Sequence, residues 1–344
     1  MKKTGKFFIM VMVLVMVLTG CSSGTNSEAA PAEAQEPAKA ELPSVAAPEI
    51  ASVEIVEQMP EKELNFAFLC FQNNPFWELV RNGSDIGAEY LKNYNVNVDY
   101  VVLGDVLDAQ TINAGIDAAI VQQYDGIVVT PFSPGTEVYI DKAVDAGIPV
   151  VTLFGESPVP SKRTAFLGQE AYAAGQFAGK YVADEVGAPG KFAIITGLFN
   201  VEVHEQRRKG FEDYLIDQGW ENVGTYEGKD KADLTYNYAK DIMTAHPDVA
   251  AIYMTAGGPF GAARATVEMD KVDDVIVLGY DEVPDNLDYV EKGEMIAISQ
   301  DVSGVALNGL ITLYNKVVAD VEPEPDFLPS KTEIITTENA SKFR

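Results

Sequence analysis

The sequence predicts an α/β protein built as two doubly wound, parallel-sheet lobes of the Rossmann-like kind. Three observations carry the expectation. Short apolar runs alternate with segments of helical spacing from Leu64 almost to the C-terminus. Those runs are continuous instead of alternating, as strands buried on both faces of a parallel sheet are. The chain of 344 residues has the length of two domains of about 150 residues each.

The segment ahead of the first strand reads differently. Lys2, Lys3 and Lys6 precede an apolar run from Phe7 to Leu18, too short for a span that needs about 20 apolar residues but laid out as a secretory signal. The run closes on Leu18-Thr19-Gly20-Cys21, which resembles the bacterial lipobox; the resemblance implies cleavage before Cys21 and a lipid anchor on its sulfur, with residues 1–20 as signal peptide. Residues 22–63 are rich in Ala, Glu, Pro and Ser, with prolines at 31, 37, 43, 48 and 60. Such a composition buries too little apolar surface to offset its ordering entropy, so residues 21–63 are expected to be a disordered acidic tether.

From Leu64–Phe71 the order is strand, helix near Pro75–Leu91, strand Val96–Leu103, helix near Asp108–Gln123, strand Gly126–Thr130, helix near Thr136–Ala146 and strand Pro149–Phe154. A second set runs through Thr164–Leu167, Phe192–Thr196, Val249–Met254 and Val275–Gly279, again with helices between. In such sheets ligands sit beyond the carboxyl ends of the strands. Those ends carry Asn74-Pro75-Phe76-Trp77, Gly104-Asp105, Pro131-Phe132, Phe154-Gly155-Glu156, Thr196-Gly197, Thr255-Ala256, Tyr280-Asp281 and Ser299-Gln300-Asp301. Aromatic rings with carboxylates and amides suit a neutral polyhydroxylated ligand: C–H groups stack on the rings and hydroxyls donate to the carboxylates.

Composition removes other classes. With 25 Lys+Arg against 52 Asp+Glu the net charge is −27, which argues against nucleic acid. Two Cys and two His, far apart, make no zinc spacing and no disulfide framework. Gly257-Gly258-Pro259-Phe260-Gly261 lacks the Gly-Lys-Ser/Thr ending of a phosphate loop, and no G-x-S-x-G elbow is present. Glu156 and Glu205 could imitate a glycosidase pair, but among 52 acids such pairs arise by chance. The chain is expected to be no enzyme and to need no cofactor or metal. His204-Glu205-Gln206-Arg207-Arg208-Lys209 reads as a solvated helix face, and Cys70 as a small buried hydrophobe in the first strand.

Residues Phe66–Trp77, then Thr244-Ala245-His246-Pro247-Asp248-Val249, Gly261-Ala262-Ala263-Arg264-Ala265, Val277-Leu278-Gly279-Tyr280-Asp281 and Ile298-Ser299-Gln300 resemble, in that order, periplasmic sugar-binding proteins of the ribose-binding type. The resemblance covers residues 64 to about 330 and implies the type I periplasmic binding protein fold with a ligand cleft between the lobes. It implies an N-terminal lobe of residues 64–167 plus 301–327, a C-terminal lobe of 168–300 plus 328–344, and ligand contacts at Asn74, Phe76, Trp77, Asp281 and Gln300. Phe154-Gly155 stands where the family often has Asp-Arg, and Phe154 is expected to add a third stacking face for the ligand. Counting without gaps puts Glu205 where an Arg is expected, so Glu205 or His204 replaces that contact, and Thr255 or Ala256 falls where an Asn is expected. The expected ligand is a monosaccharide or polyol other than ribose.

The same resemblance implies a monomer held by a lipid at Cys21 on the extracytoplasmic face of the membrane, delivering its ligand to an ABC transporter permease. The alternative is a sensor-type binding protein that presents a sugar, nucleoside or furanosyl signal molecule to a membrane receptor.

Overall fold

A computed structural model describes residues 42–71, 74–105 and 107–344. The signal peptide, Cys21 and the first part of the tether lie outside the described residues, as do Gln72 and Asn73 at the first strand end. Residues 42–344 belong to one compact unit.

The chain enters the first lobe through β1 (Leu64–Cys70), α1 (Phe76–Lys92), β2 (Val96–Val102), α2 (Ala109–Val121), β3 (Gly126–Val129), α3 (Glu137–Asp145), β4 (Val150–Leu153) and β5 (Ala165–Gly168). It crosses to the second lobe for α4 (Ala171–Val186), β6 (Lys191–Thr196), α5 (Glu202–Asp217), β7 (Glu221–Glu227), α6 (Ala232–Ala245), β8 (Val249–Met254), α7 (Pro259–Glu268), β9 (Ile276–Tyr280), α8 (Pro284–Val290) and β10 (Ile296–Ser299). It then returns for α9 (Val302–Ala319) and β11 (Phe327–Pro329) and ends in the second lobe with β12 (Glu333–Ile335). One sheet has the order β11-β5-β4-β3-β1-β2 and the other β12-β10-β9-β8-β6-β7. The described pairings are parallel except β10 with β12.

The apolar runs are central strands because both faces are covered. In β1, Phe66, Ala67, Phe68, Leu69 and Cys70 are all buried, with β2 on one side and β3 on the other. Burial pushes the Cys70 thiol up to about 12, so it stays protonated and unreactive. The edge strand β7, Glu-Asn-Val-Gly-Thr-Tyr-Glu, is half-buried along most of its length; with no continuous apolar run it carries no strand signal of the buried kind. The first lobe extends through Pro329 in β11, beyond the boundary expected at residue 327.

The tether expectation fails for its last part. Residues 50–58 lie along α9 as a strap. Asn308 Oδ1 accepts from the backbone N–H groups of Ser52 and Val53 at 2.8 and 2.9 Å. Asn315 Oδ1 accepts from Val56 N–H at 2.9 Å while its Nδ2 donates to Glu54 O at 2.8 Å. Tyr314 Oη donates to Gln58 O at 2.6 Å, and Gln58 Nε2 donates to Val318 O at 2.8 Å. Ala51, Val53, Ile55, Val56 and Met59 pack on the first lobe's core. This explains why α9 is buried from Val302 to Asn315 except at Ser303, with Asn308 and Asn315 included: the sheet covers one face and the strap covers part of the other.

Candidate functional site

The strand ends of both sheets meet in one cleft, lined by Asn74, Phe76, Trp77, Thr130, Phe132 and Phe154 from the first lobe and His204, Arg207, Asp230, Ala256, Asp281 and Gln300 from the second side. Its cavity volume is about 60 Å³, below the roughly 300–1,000 Å³ that small-molecule sites span. The lobes touch across it: Glu202 N–H donates to Phe132 O at 3.3 Å, and Val201 and Val203 pack with the first lobe's core.

The first lobe supplies rings. Pro75 and the Asn74 Oδ1, which accepts from Phe76 N–H at 3.0 Å, set the start of α1 and so project Phe76 and Trp77 at the strand end. Phe76 meets Trp77 edge-on, centroids 5.2 Å apart at 86°, and Phe154 at 5.0 Å and 79°. Phe132 closes the series against Trp77 at 6.3 Å. Edge-to-face packing locks each ring by its neighbour. Phe154 sits at φ +62°, an unusual backbone for a bulky residue that turns its ring to the cleft.

The second lobe supplies charge. Arg207 is 3% exposed. Its Nη1 donates to Thr255 O at 3.1 Å, and its Nη2 donates to Gln169 Oε1 at 2.9 Å and Gln300 Oε1 at 2.8 Å. The guanidinium carbon lies over the Tyr280 ring, 3.6 Å from its centroid, a cation–π contact that adds to the fork of hydrogen bonds Lys could not reproduce. Gln300 passes the polarity on, donating through Nε2 to Asp281 Oδ1 at 2.6 Å. Asp281 is buried and at φ +83°. Burial raises its carboxyl to about 7, helped by Glu282, against Gln300 and Arg207 which pull it down. Asp230 is raised to about 6, again by burial, opposed by the Gly257 backbone N–H. His204 is held neutral, its pKa pushed down to about 3 by burial and by Arg207. Its Nδ1 accepts from Leu198 N–H at 3.1 Å, so the ring proton is on Nε2.

The residues expected from the sequence divide. Asn74, Phe76, Trp77, Phe154, Asp281 and Gln300 line the cleft together. Glu205 does not: it turns outward and pairs with Arg208. Thr255 is fully buried beneath the cleft, its Oγ1 against Thr196 and the Gly197 N–H, and only its carbonyl serves the site, through Arg207; Ala256 takes the lining position. Nor is 204–209 a solvated face throughout, since His204 and Arg207 are buried. The expected arginine is therefore present, two positions after the place ungapped counting gave. Helical spacing marks it: His204, Arg207, Phe211 and Leu215 fall on the one face that is buried. Asp230 carries no comparable signal, because the strand before it is the half-buried β7.

Two parallel-sheet lobes closing on a ring-walled, carboxylate-bearing cleft define a two-lobed small-molecule binder. The profile described as periplasmic binding protein domain matches residues 67–317, most of the chain; the chain belongs to the periplasmic binding protein family and has its type I fold. It is 26% identical over 248 residues to the ribose import binding protein of Escherichia coli strain K12, covering 70% of this chain and 80% of that one. It is 25% identical over 268 residues to the D-allose-binding periplasmic protein of the same strain, covering 75% and 84%. Among solved structures, a glucose-galactose binding protein from Geobacillus stearothermophilus superposes with a TM-score of 0.73 at 24% identity, over 81% of this chain and 99% of that one.

Proposed function

We propose that this chain is an extracytoplasmic solute-binding lipoprotein. It captures a monosaccharide or polyol in the interlobe cleft and delivers it to an ABC permease, without chemistry on the ligand. The observation that carries the reading is the pairing of a ring wall on one lobe with the Arg207–Gln300–Asp281 network on the other. A pyranose or furanose presents C–H faces to rings and hydroxyls to charged acceptors, and it would use both lobes at once. A ligand that touches both lobes favours the closed arrangement by its differential affinity for it, and a permease could read that closed geometry. The names of the E. coli relatives, ribose import and D-allose binding, support the same ligand class. The departure at Phe154, where a ring stands in place of a charged pair, favours a ligand other than ribose. Cys21 would hold the protein to the membrane by its lipid.

The test is a thermal-shift screen of residues 22–344 against pentoses, hexoses, polyols, inositols and nucleosides. A ligand present at about 100 times its dissociation constant adds roughly 2.7 kcal/mol, an easily read shift. A hit among sugars or polyols that disappears in Asp281→Ala supports the reading. A hit confined to nucleosides, or none in any class, removes it.

A further inference from the structure

The cleft has a second polar corner, away from the arginine network in sequence and built around Asp230. Asp230 Oδ1 is buried with no hydrogen-bond partner among the described residues, and the residue lines the cleft. Its backbone is at φ +55°, a region that Asp and Asn enter more readily than other residues. Two glycines make room for the carboxylate. A Cβ on Gly197 would lie 2.6 Å from Asp230 Oδ1 and 2.6 Å from His204 Cε1; one on Gly257 would lie 3.3 Å from Asp230 Cβ and 3.5 Å from Asn74 Nδ2. The His204 ring and the Asn74 amide thus stand around the same corner. With Nδ1 occupied by Leu198 N–H, His204 offers a donor at Nε2, and Asn74, whose Oδ1 is occupied by Phe76 N–H, offers donors at Nδ2. One unmet acceptor set among donors is the complement of a hydroxyl group.

We propose that Asp230 is a specificity-determining residue that accepts a hydrogen bond from one hydroxyl of the ligand, a different hydroxyl from the one Asp281 receives. The assignment rests on the sugar or polyol reading above and adds to it the side chain that selects a particular hydroxyl. It also explains why the chain keeps a carboxylate that meets the Gly257 N–H yet leaves Oδ1 unmet: a buried acceptor without a donor destabilises the empty protein, and a bound donor offsets that.

The experiment is a calorimetric titration of residues 22–344, wild type and Asp230→Asn, with D-ribose, D-allose, D-galactose, D-xylose and myo-inositol. It continues with the monodeoxy forms of whichever compound binds wild type most tightly. Asn tolerates the same backbone, so fold is retained, and the ligand-free thermal midpoint of each chain is recorded. Asp230→Asn is expected to bind the parent compound at least tenfold more weakly while melting, without ligand, at or above the wild-type temperature. One deoxy form should bind wild type at least tenfold more weakly than its parent, and bind Asp230→Asn as well as the parent does. Affinity within threefold of wild type together with an unchanged deoxy profile would overturn the assignment while leaving the sugar reading intact. If no compound binds the wild-type chain, the sugar reading falls and this assignment falls with it.

Discussion

The strap along α9 gives the sharpest stability prediction, because its attachment depends on two side chains that composition alone would place on a solvated helix face. Asn308→Ala removes the acceptor shared by Ser52 and Val53 N–H. Asn315→Ala removes the acceptor of Val56 N–H and the donor to Glu54 O. A net hydrogen bond contributes about 0.5–1.5 kcal/mol, so each variant should lose about 1–3 kcal/mol. The two sites share the strap, so the double variant should lose less than the sum, once the segment has detached and nothing further can be lost. The assay is urea unfolding of residues 22–344 combined with proteolysis by a glutamate-specific protease. Glu54 and Glu57 lie on the strap and Glu28, Glu33 and Glu36 ahead of it. In wild type, cleavage at Glu54 and Glu57 should be slow; in the double variant it should become fast while the rest of the fold resists. Variants within 0.5 kcal/mol of wild type, or cleavage at Glu54 no faster in the double variant than in wild type, would refute the reasoning.

Other consequences follow from the cleft and the N-terminus. Gly197→Ala places a methyl group against Asp230, His204 and Ala256, 2.6 Å from an atom of each, and should weaken sugar binding at least tenfold in calorimetry; unchanged affinity would mean the corner is not used. Asp281, Asp230 and Asp301 are raised by burial to about 7, 6 and 6, so the folded state keeps protons that the unfolded chain releases above about pH 4. Their stabilising contribution is present at low pH and is lost as pH rises through 6–7. His204, lowered to about 3, acts in the opposite sense, with stability lost as pH falls below about 6.5, but it is one group against three. The ligand-free thermal midpoint should therefore be higher at pH 5.5 than at pH 8, by less in Asp281→Asn; a flat or reversed profile would contradict the assignment. Cys21→Ser should shift the chain from the membrane fraction to the soluble one, as read by fractionation and by the mass of the N-terminal peptide.

Much of the fold could be read from the sequence because central parallel strands must be continuously apolar, and runs such as Leu64–Cys70 and Val249–Met254 announce themselves. Residues that follow such strands directly, Phe76, Trp77, Phe154 and Asp281, were legible for that reason. Arg207 was hidden because it lies inside a helix whose start depends on the length of the loop from Gly197 to Val201, which spacing does not reveal. Asp230 was hidden by an edge strand without an apolar run. The strap was hidden for another reason: its contacts run largely through its own backbone, to Asn308, Asn315 and Tyr314 some 256–261 positions away, and backbone hydrogen bonds leave no trace in composition.

The most direct test of the central claim uses the chain's own fluorescence. The sequence has two tryptophans: Trp77 in the cleft wall and Trp220 buried in the second lobe's core. With Trp220→Phe, emission reports on Trp77 alone. A sugar or polyol that raises the thermal midpoint should change that emission saturably, with the dissociation constant found by calorimetry. A compound that stabilises the protein yet leaves Trp77 emission unchanged would place the ligand elsewhere and contradict the account.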